Sequence, residues 1–242
     1  MCPQFKKTNL DPGGFAEFVR VPATHVESVA FPIPDGLSDS EASFMEPLGC
    51  CVRAMNRAGI QRSDVIVLLG LGSIGLLFLQ LIRHTGAECI GIDLDQERRE
   101  FAQGFGLSAA FAGSEPGFQE YLATTTEGRG ADGVLLTAGN PALVSTALTW
   151  LREGGTCTIF ASLHPESNVR LDWNQLYYRE LNIVSSYSAS PGDLSDALEL
   201  LGKRNVLVAD LTRDTFSLDQ FSDALAAIES RTILKAIVTP NV

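Results

Sequence analysis

Gly70-Leu71-Gly72-Ser73-Ile74-Gly75 is the stretch that most constrains this chain. The apolar run before it, Val65-Ile66-Val67-Leu68-Leu69, is short and β-branched and reads as a buried strand. The run after it, Leu76-Leu77-Phe78-Leu79-Gln80-Leu81-Ile82, continues to Gly86 and reads as a buried helix. A glycine-rich turn between such a strand and helix forms a phosphate cradle. Gly70 permits the tight turn, Gly72 lets a pyrophosphate approach the backbone, and Gly75 lets the helix pack against the strand. The helix start, with Ser73 and Ile74, presents N–H groups and about half a positive charge to the anion. A second strand, Cys89-Ile90-Gly91-Ile92, ends at Asp93, 18 residues after Gly75. A dinucleotide fold needs a carboxylate there for the adenosine ribose. A 2′-phosphate about 4 Å from this carboxylate would meet roughly 4 kcal/mol of repulsion at an effective dielectric near 20, which favours NAD over NADP. The competing reading is a nucleotide-free α/β turn followed by a chance acid.

Bulk properties narrow the rest. The chain has 242 residues, 45% of them hydrophobic, enough for one large domain or a domain with part of a second. A net charge of -11 without a basic run argues against nucleic-acid partners and anionic membranes. No apolar segment reaches the ~18 residues of a membrane span, and no apolar stretch follows Met1, so the cytoplasm is the expected location. Five cysteines, Cys2, Cys50, Cys51, Cys89 and Cys157, include no C-x-x-C pair and read as reduced thiols. Cys89 and Cys157 belong to expected core strands.

Residues 1–38 are rich in Pro and Gly, with strands expected at 15–21 and 26–31. Residues 39–58 read as a helix with Ser38 or Ser40 as cap, broken at Glu46-Pro47 because an interior proline costs about 3 kcal/mol. Glu46, on the apolar stretch Phe44-Met45-Glu46-Pro47-Leu48, is either a buried site acid or a solvated surface acid. Beyond the glycine turn, helices at 96–104, 116–126, 141–151 and 192–202 alternate with strands at 109–112, 134–137, 156–161 and 181–186; Gly154-Gly155 reads as the cap of the third helix. Six strands between residues 65 and 186, joined by helical crossovers, predict an α/β fold with a doubly wound parallel six-stranded sheet. Ligands lie outside the carboxyl ends of such strands. That makes Thr137, Ala138 and Gly139 candidates for the ribose and nicotinamide. Ser162 and Ser186 are weaker candidates, with ordinary strand-end hydrogen bonding as the competing reading. Residues 205–242 read as a strand-like 206–215, a helix 218–230 and a strand 234–239.

In this order the segments resemble the medium-chain, zinc-type alcohol and polyol dehydrogenases of the sorbitol and threonine dehydrogenase kind. Gly13-Gly14-Phe15-Ala16-Glu17-Phe18-Val19 with Val21-Pro22 is similar to the end of that family's catalytic lobe. Met45-Glu46-Pro47-Leu48 resembles its Glu-Pro-Leu segment. Gly70–Gly75, Asp93 and Arg98 match its cofactor fingerprint. The tail from Phe216 to Leu225, with Lys235-Ala236-Ile237-Val238, resembles its C-terminal pattern.

The resemblance implies an NAD-dependent oxidoreductase passing hydride from an alcohol or polyol. Arg98 would lie near the adenine, and Glu46 in or beside a catalytic zinc site. It implies residues 1–38 and 205–242 as remnants of a barrel-like (GroES-like) lobe, 39–204 as the dinucleotide-binding domain, and a homodimer or homotetramer paired through the sheet edge near Ile183–Ser186. Family members begin with a further lobe carrying a Cys and a His-Glu pair for zinc, so the expectation is a truncated chain whose Met1 resembles an internal methionine and whose zinc site is incomplete. His84 reads as a helix-end residue, His25 and His164 as loop residues, and Cys2 as the vestige of a structural-zinc ligand. A non-catalytic NAD-binding module is the alternative.

Overall fold

The computed structural model describes residues 10–113 and 115–240. Cys2 lies outside the described residues. The chain divides into two units, one formed by residues 1–45 with 194–242 and the other by 46–193.

The first unit begins with helix α1 (Ala23–Val29) and the short helix α2 (Asp39–Ala42). The strand expected at 26–31 is therefore helical over its first four residues, and residues 30–31 are irregular. No strand is there to pair with it, so local bonding prevails, beginning with Val26 N–H to the Pro22 carbonyl at 3.2 Å. His25 accordingly sits on a helix. Residues 15–21 form no strand either; one isolated bridge joins Asp11 to Arg20. Ser38 caps α2 in a reciprocal box. The Glu41 N–H donates to Ser38 Oγ at 3.3 Å, and the Ser38 N–H donates to Glu41 Oε2 at 3.0 Å. Arg204 reaches the same carboxylate and also donates to the Gly36 carbonyl at 2.7 Å.

The Ser38 backbone N–H, then Arg204 and the Ser38 hydroxyl, hold the Glu41 carboxyl below its ordinary value of 4.5. A depressed folded-state pKa contributes stability that is complete above 4.5 and is lost as pH falls through the lower folded value. We expect Glu41→Gln to lower the melting temperature at pH 7 and the gap from wild type to narrow progressively as pH falls below 4.5, as read by thermal melts from pH 7 into the acid range. A constant gap would mean that the charge is irrelevant.

Helix α3 (Met45–Ala58) follows. The break in the expected 39–58 helix falls at Ser43–Phe44, and Pro47 sits in the first turn of α3, where its missing N–H has no intrahelical partner to lose.

The second unit carries strand β1 (Val65–Leu69), helix α4 (Ser73–Thr85), β2 (Glu88–Ile92), α5 (Gln96–Gln103), β3 (Ala109–Phe111), α6 (Pro116–Thr125), β4 (Ala131–Leu136), α7 (Pro141–Trp150), β5 (Leu151–Ile159), α8 (Trp173–Tyr178) and β6 (Asn182–Ser185). All pairings are parallel, in the order β3-β2-β1-β4-β5-β6. This is the doubly wound arrangement, whose strand order reverses between β1 and β4. One sheet face buries Val65, Val67, Leu69, Ile90 and Ile92 with Phe118 and Leu122 of α6 and Val144, Leu148 and Trp150 of α7. Each such side chain contributes about 1.5–3 kcal/mol on burial. Every residue of β1 is buried, as its unbroken apolar run predicts. Helix α4 ends at Gly86 in the left-handed conformation, φ 85°.

The fifth strand departs from expectation. Helix α7 passes directly into β5, and Gly154 and Gly155 lie inside that strand, not at a helix cap. Ala131 pairs with Leu151 but Gly133 pairs with Thr156, so Arg152–Gly155 bulge outward, with Gly154 at φ 72°. Beyond β6, helix α9 (Pro191–Gly202) leads into the C-terminal residues, which hold β7 (Thr215–Ser217), α10 (Phe221–Glu229) and β8 (Ile237–Thr239). The strand expected at 206–215 is largely irregular, with a 3-10 turn at Ala209–Leu211. β7 and β8 pair in parallel with each other.

Candidate functional site

The glycine turn joins β1 to α4 at the strand-order reversal. Gly70 has φ 98°, and a Cβ there would stand 2.3 Å from Thr137 Oγ1. A Cβ at Gly75 would stand 2.0 Å from the Gly70 carbonyl oxygen, so only glycine lets α4 approach this closely. At Gly72 a Cβ would meet only Arg98 Nη1, at 3.6 Å. Gly72 is the N-cap of α4 and no side chain caps the helix there. Bare backbone at a helix start, with a guanidinium beside it, suits a diphosphate. Ser73 and Ile74 open the helix, both partly accessible.

Asp93 closes the other side of the turn. Its Oδ2 accepts the Leu71 N–H at 2.8 Å, and its Oδ1 accepts the Asp95 N–H at 2.9 Å. Each carboxylate oxygen retains a second lone pair for a ribose hydroxyl. Arg98 rises from α5, capped by Asp95, and its Nε lies 3.8 Å from Asp95 Oδ2. Its guanidinium thus stands over the glycine turn. Arg99, not singled out from sequence, donates to the Asp93 carbonyl at 2.7 Å and the Leu94 carbonyl at 3.0 Å, pinning this loop.

Thr137 directly follows β4 and locks it to β1. Its N–H donates to the Leu69 carbonyl at 2.9 Å, and its hydroxyl lies 2.8 Å from that oxygen and 3.1 Å from the Gly70 oxygen. Ala138 and Gly139 follow, both exposed. A Cβ at Gly139 would come within 2.5 Å of the Ser162 carbonyl oxygen, so the ends of β4 and β5 touch. Gly70, Gly72, Gly75, Asp93, Arg98 and Thr137 are therefore brought together, and Gly139 meets Ser162 beside them. The Thr137 lock has no local signal, because its partners lie 68 and 67 residues away.

Glu46 lies apart from this group of contacts, in the first turn of α3, and is exposed. It accepts the Cys50 thiol at 3.2 Å. Burial, together with the neighbouring Glu46, pushes the Cys50 thiol up to about 12. The pair offers two donors, whereas a protein zinc site takes at least three. Among the described residues no three His, Cys, Asp or Glu side chains converge on a common point. The described residues do not fit a catalytic zinc site.

Comparison with known proteins follows the same lines. A family model described as "Zinc-binding dehydrogenase" matches residues 73–203. Sorbitol dehydrogenase of Bacillus subtilis strain 168 is 30% identical over 246 residues, covering 100% of this chain and 68% of the relative. Sorbitol dehydrogenase of Halalkalibacterium halodurans is 29% identical over 96% of this chain and 67% of its own length. The chain thus spans about two thirds of these relatives. Two solved structures share the fold. An alcohol dehydrogenase of E. coli CFT073, complexed with NADH, superposes with a TM-score of 0.81 at 23% identity, over 93% of this chain and 65% of that one. A zinc-binding dehydrogenase of Sinorhizobium meliloti 1021, bound to NADP, gives 0.83 at 27% identity, over 99% and 73%.

Proposed function

Because this chain belongs to the zinc-binding dehydrogenase family, we propose that it binds NAD and serves hydride transfer between that cofactor and an alcohol or polyol. The hydrogen bond from Leu71 N–H to Asp93 Oδ2, at 2.8 Å, carries this reading. It joins the turn suited to the diphosphate to the acid suited to the ribose. Gly70, Gly72, Ser73, Ile74 and Gly75 would hold the diphosphate, with Arg98 beside it. Asp93 would take the adenosine ribose, and Thr137, Ala138 and Gly139 would border the nicotinamide half. The bound cofactor supplies the hydride acceptor. The protein's own part is to orient it along the carboxyl edge of the sheet.

The relatives include sorbitol dehydrogenases, which makes a polyol the substrate class to test first. Solved neighbours hold NADH in one case and NADP in the other; the charge of Asp93 favours NAD in this reading. Residues 1–38 and 205–242 are read as parts of a catalytic lobe, and 39–204 as the cofactor domain. No helix among the described residues is long and apolar enough to cross a membrane. The exposed β6 edge, with Trp173 and Tyr177 beside Ile183, is the surface through which a homo-oligomer would pair.

The donor set around Glu46 favours a second reading, a non-catalytic NAD-binding module. NADH titration followed by an alcohol panel with added zinc separates the two. Tight NADH binding with zinc-dependent turnover of a polyol supports the dehydrogenase. Binding without turnover supports the module. Absence of binding overturns both.

A further inference from the structure

The second unit holds a pocket at the edge of the sheet opposite the glycine turn. That turn, Asp93 and Thr137 lie where strands end. The pocket lies where β1 and β4 begin, about 16 Å back along the five residues of β1. Asp64, Asp132 and Arg152 stand among its walls with Ile66, Thr156 and Thr158. The bulge in β5 lies alongside. The ladder between β4 and β5 shifts between Ala131 and Gly133, and bulges recur next to binding sites. Gly133, paired with both Ile66 and Thr156, adds no side chain to fill the gap; a Cβ there would stand 2.9 Å from Ile66 Cδ1. The space is about 130 Å³. A cavity of about 150 Å³ takes up benzene, so a molecule of similar size fits.

The inner wall is polar and unsatisfied. Thr156 and Thr158 share one face of β5 by strand alternation, and neither hydroxyl is hydrogen-bonded within the described residues. Thr158 is only 2% exposed. A buried hydroxyl without a partner costs free energy and calls for a reason. Ser186 carries another such oxygen, but beyond the carboxyl end of β6, whereas Thr158 lines this separate pocket. The charged groups are already engaged. Asp132 accepts Arg152 Nε at 2.5 Å and the Val65 N–H at 2.8 Å, and Asp64 accepts the Gln61 N–H at 2.8 Å. A charged ligand would thus be desolvated without a counter-ion of its own, at a cost of several kcal/mol. An uncharged one escapes that cost. The two threonines stand about 6.6 Å apart along the strand, so a ligand that meets both carries polar groups on separate carbons. Ile66 and Leu135 offer the carbon chain apolar contact. Alcohol hydroxyls donate and accept, as threonine hydroxyls do. We propose that this pocket is a second binding site, for a small uncharged polyol of about glycerol's size, with the Thr158 hydroxyl as its innermost contact. The site stands independently of the NAD reading.

Glycerol and glycerate are the probes, since they share a carbon skeleton and differ by one carboxylate. Ligand-observed NMR titration of the full chain should show saturable glycerol binding, and glycerate should bind at least tenfold more weakly. Thr158→Val removes the hydroxyl and keeps the branched shape. It should weaken glycerol binding about tenfold, the equivalent of one hydrogen bond. Its melting temperature without ligand should hold or rise, because an unpaired buried hydroxyl has gone, and its NADH affinity should equal that of wild type. No saturable glycerol binding, equal binding of glycerol to wild type and variant, or glycerate binding as well as glycerol would each overturn the site. A lowered melting temperature or weakened NADH binding in the variant would show that Thr158 serves the sheet and overturn its role as a contact. A chain that binds glycerol but not NADH would overturn the NAD reading and leave this site standing.

Discussion

Gly75→Ala is expected to abolish tight NADH binding, weakening it by about a hundredfold or more, close to 3 kcal/mol. The added Cβ would stand 2.0 Å from the Gly70 carbonyl oxygen and 2.9 Å from its carbonyl carbon. Both are backbone atoms, so no rotamer change relieves the contact. Either α4 withdraws from β1 or the turn opens. The Gly70 oxygen also lies in the Thr137 lock, at 3.1 Å from that hydroxyl, so opening the turn loosens β4 as well. Overpacking of this kind costs about 2–3 kcal/mol, and at this chain length it lowers the melting temperature by roughly 5–10 °C. Gly117→Ala is the control. Its Cβ would meet only a Phe111 ring carbon at 3.9 Å, within helix α6. It should leave NADH binding intact and hold or raise the melting temperature. Titration and thermal melts of the two variants side by side decide the matter; equal behaviour would remove the steric argument for the turn.

Asp93→Ser should reverse cofactor preference. In the proposed complex the wild-type carboxylate would accept from ribose hydroxyls and would repel a 2′-phosphate. At about 4 Å and an effective dielectric near 20 the repulsion is roughly 4 kcal/mol, an upper bound of about a thousandfold. Serine removes the charge and keeps a small acceptor near the Leu71 N–H. The ratio of NADH to NADPH affinity should fall by roughly two to three orders of magnitude, with NADPH gaining from Arg98, whose guanidinium stands beside the turn. Competition titrations of the two cofactors against wild type and variant measure that ratio. A wild type that already prefers NADPH would refute the role given to Asp93.

What was legible in the sequence was local. β1, the glycine turn, α4 and Asp93 announce themselves through an unbroken apolar run, fixed glycine spacing and one acid at a strand end, and the structure joins them as that pattern requires. β5 was read too short because its first half bulges, and the bulge is set by pairing with β4, not by its own residues. Residues 26–31 have strand-forming types but no strand to meet, so the first four coil into α1 and the last two stay irregular. Pro47 signalled a break correctly but not its place, since proline is tolerated in a first turn. At Glu46, composition left burial and exposure equally open. Three-dimensional covering, which no window of sequence contains, leaves it exposed. The same holds for Thr137 and Ser186, two strand-end hydroxyls of similar appearance: one finds carbonyls across the sheet and the other finds none.

The two backbone amides on Asp93 carry one last consequence. A free aspartate must surrender its rotamers when it captures a sugar, and that ordering weakens capture. Here Leu71 and Asp95 each grip one oxygen, at 2.8 and 2.9 Å, while the chain folds. The loss has already occurred in the folded chain, so a ribose would meet an acceptor that is standing still.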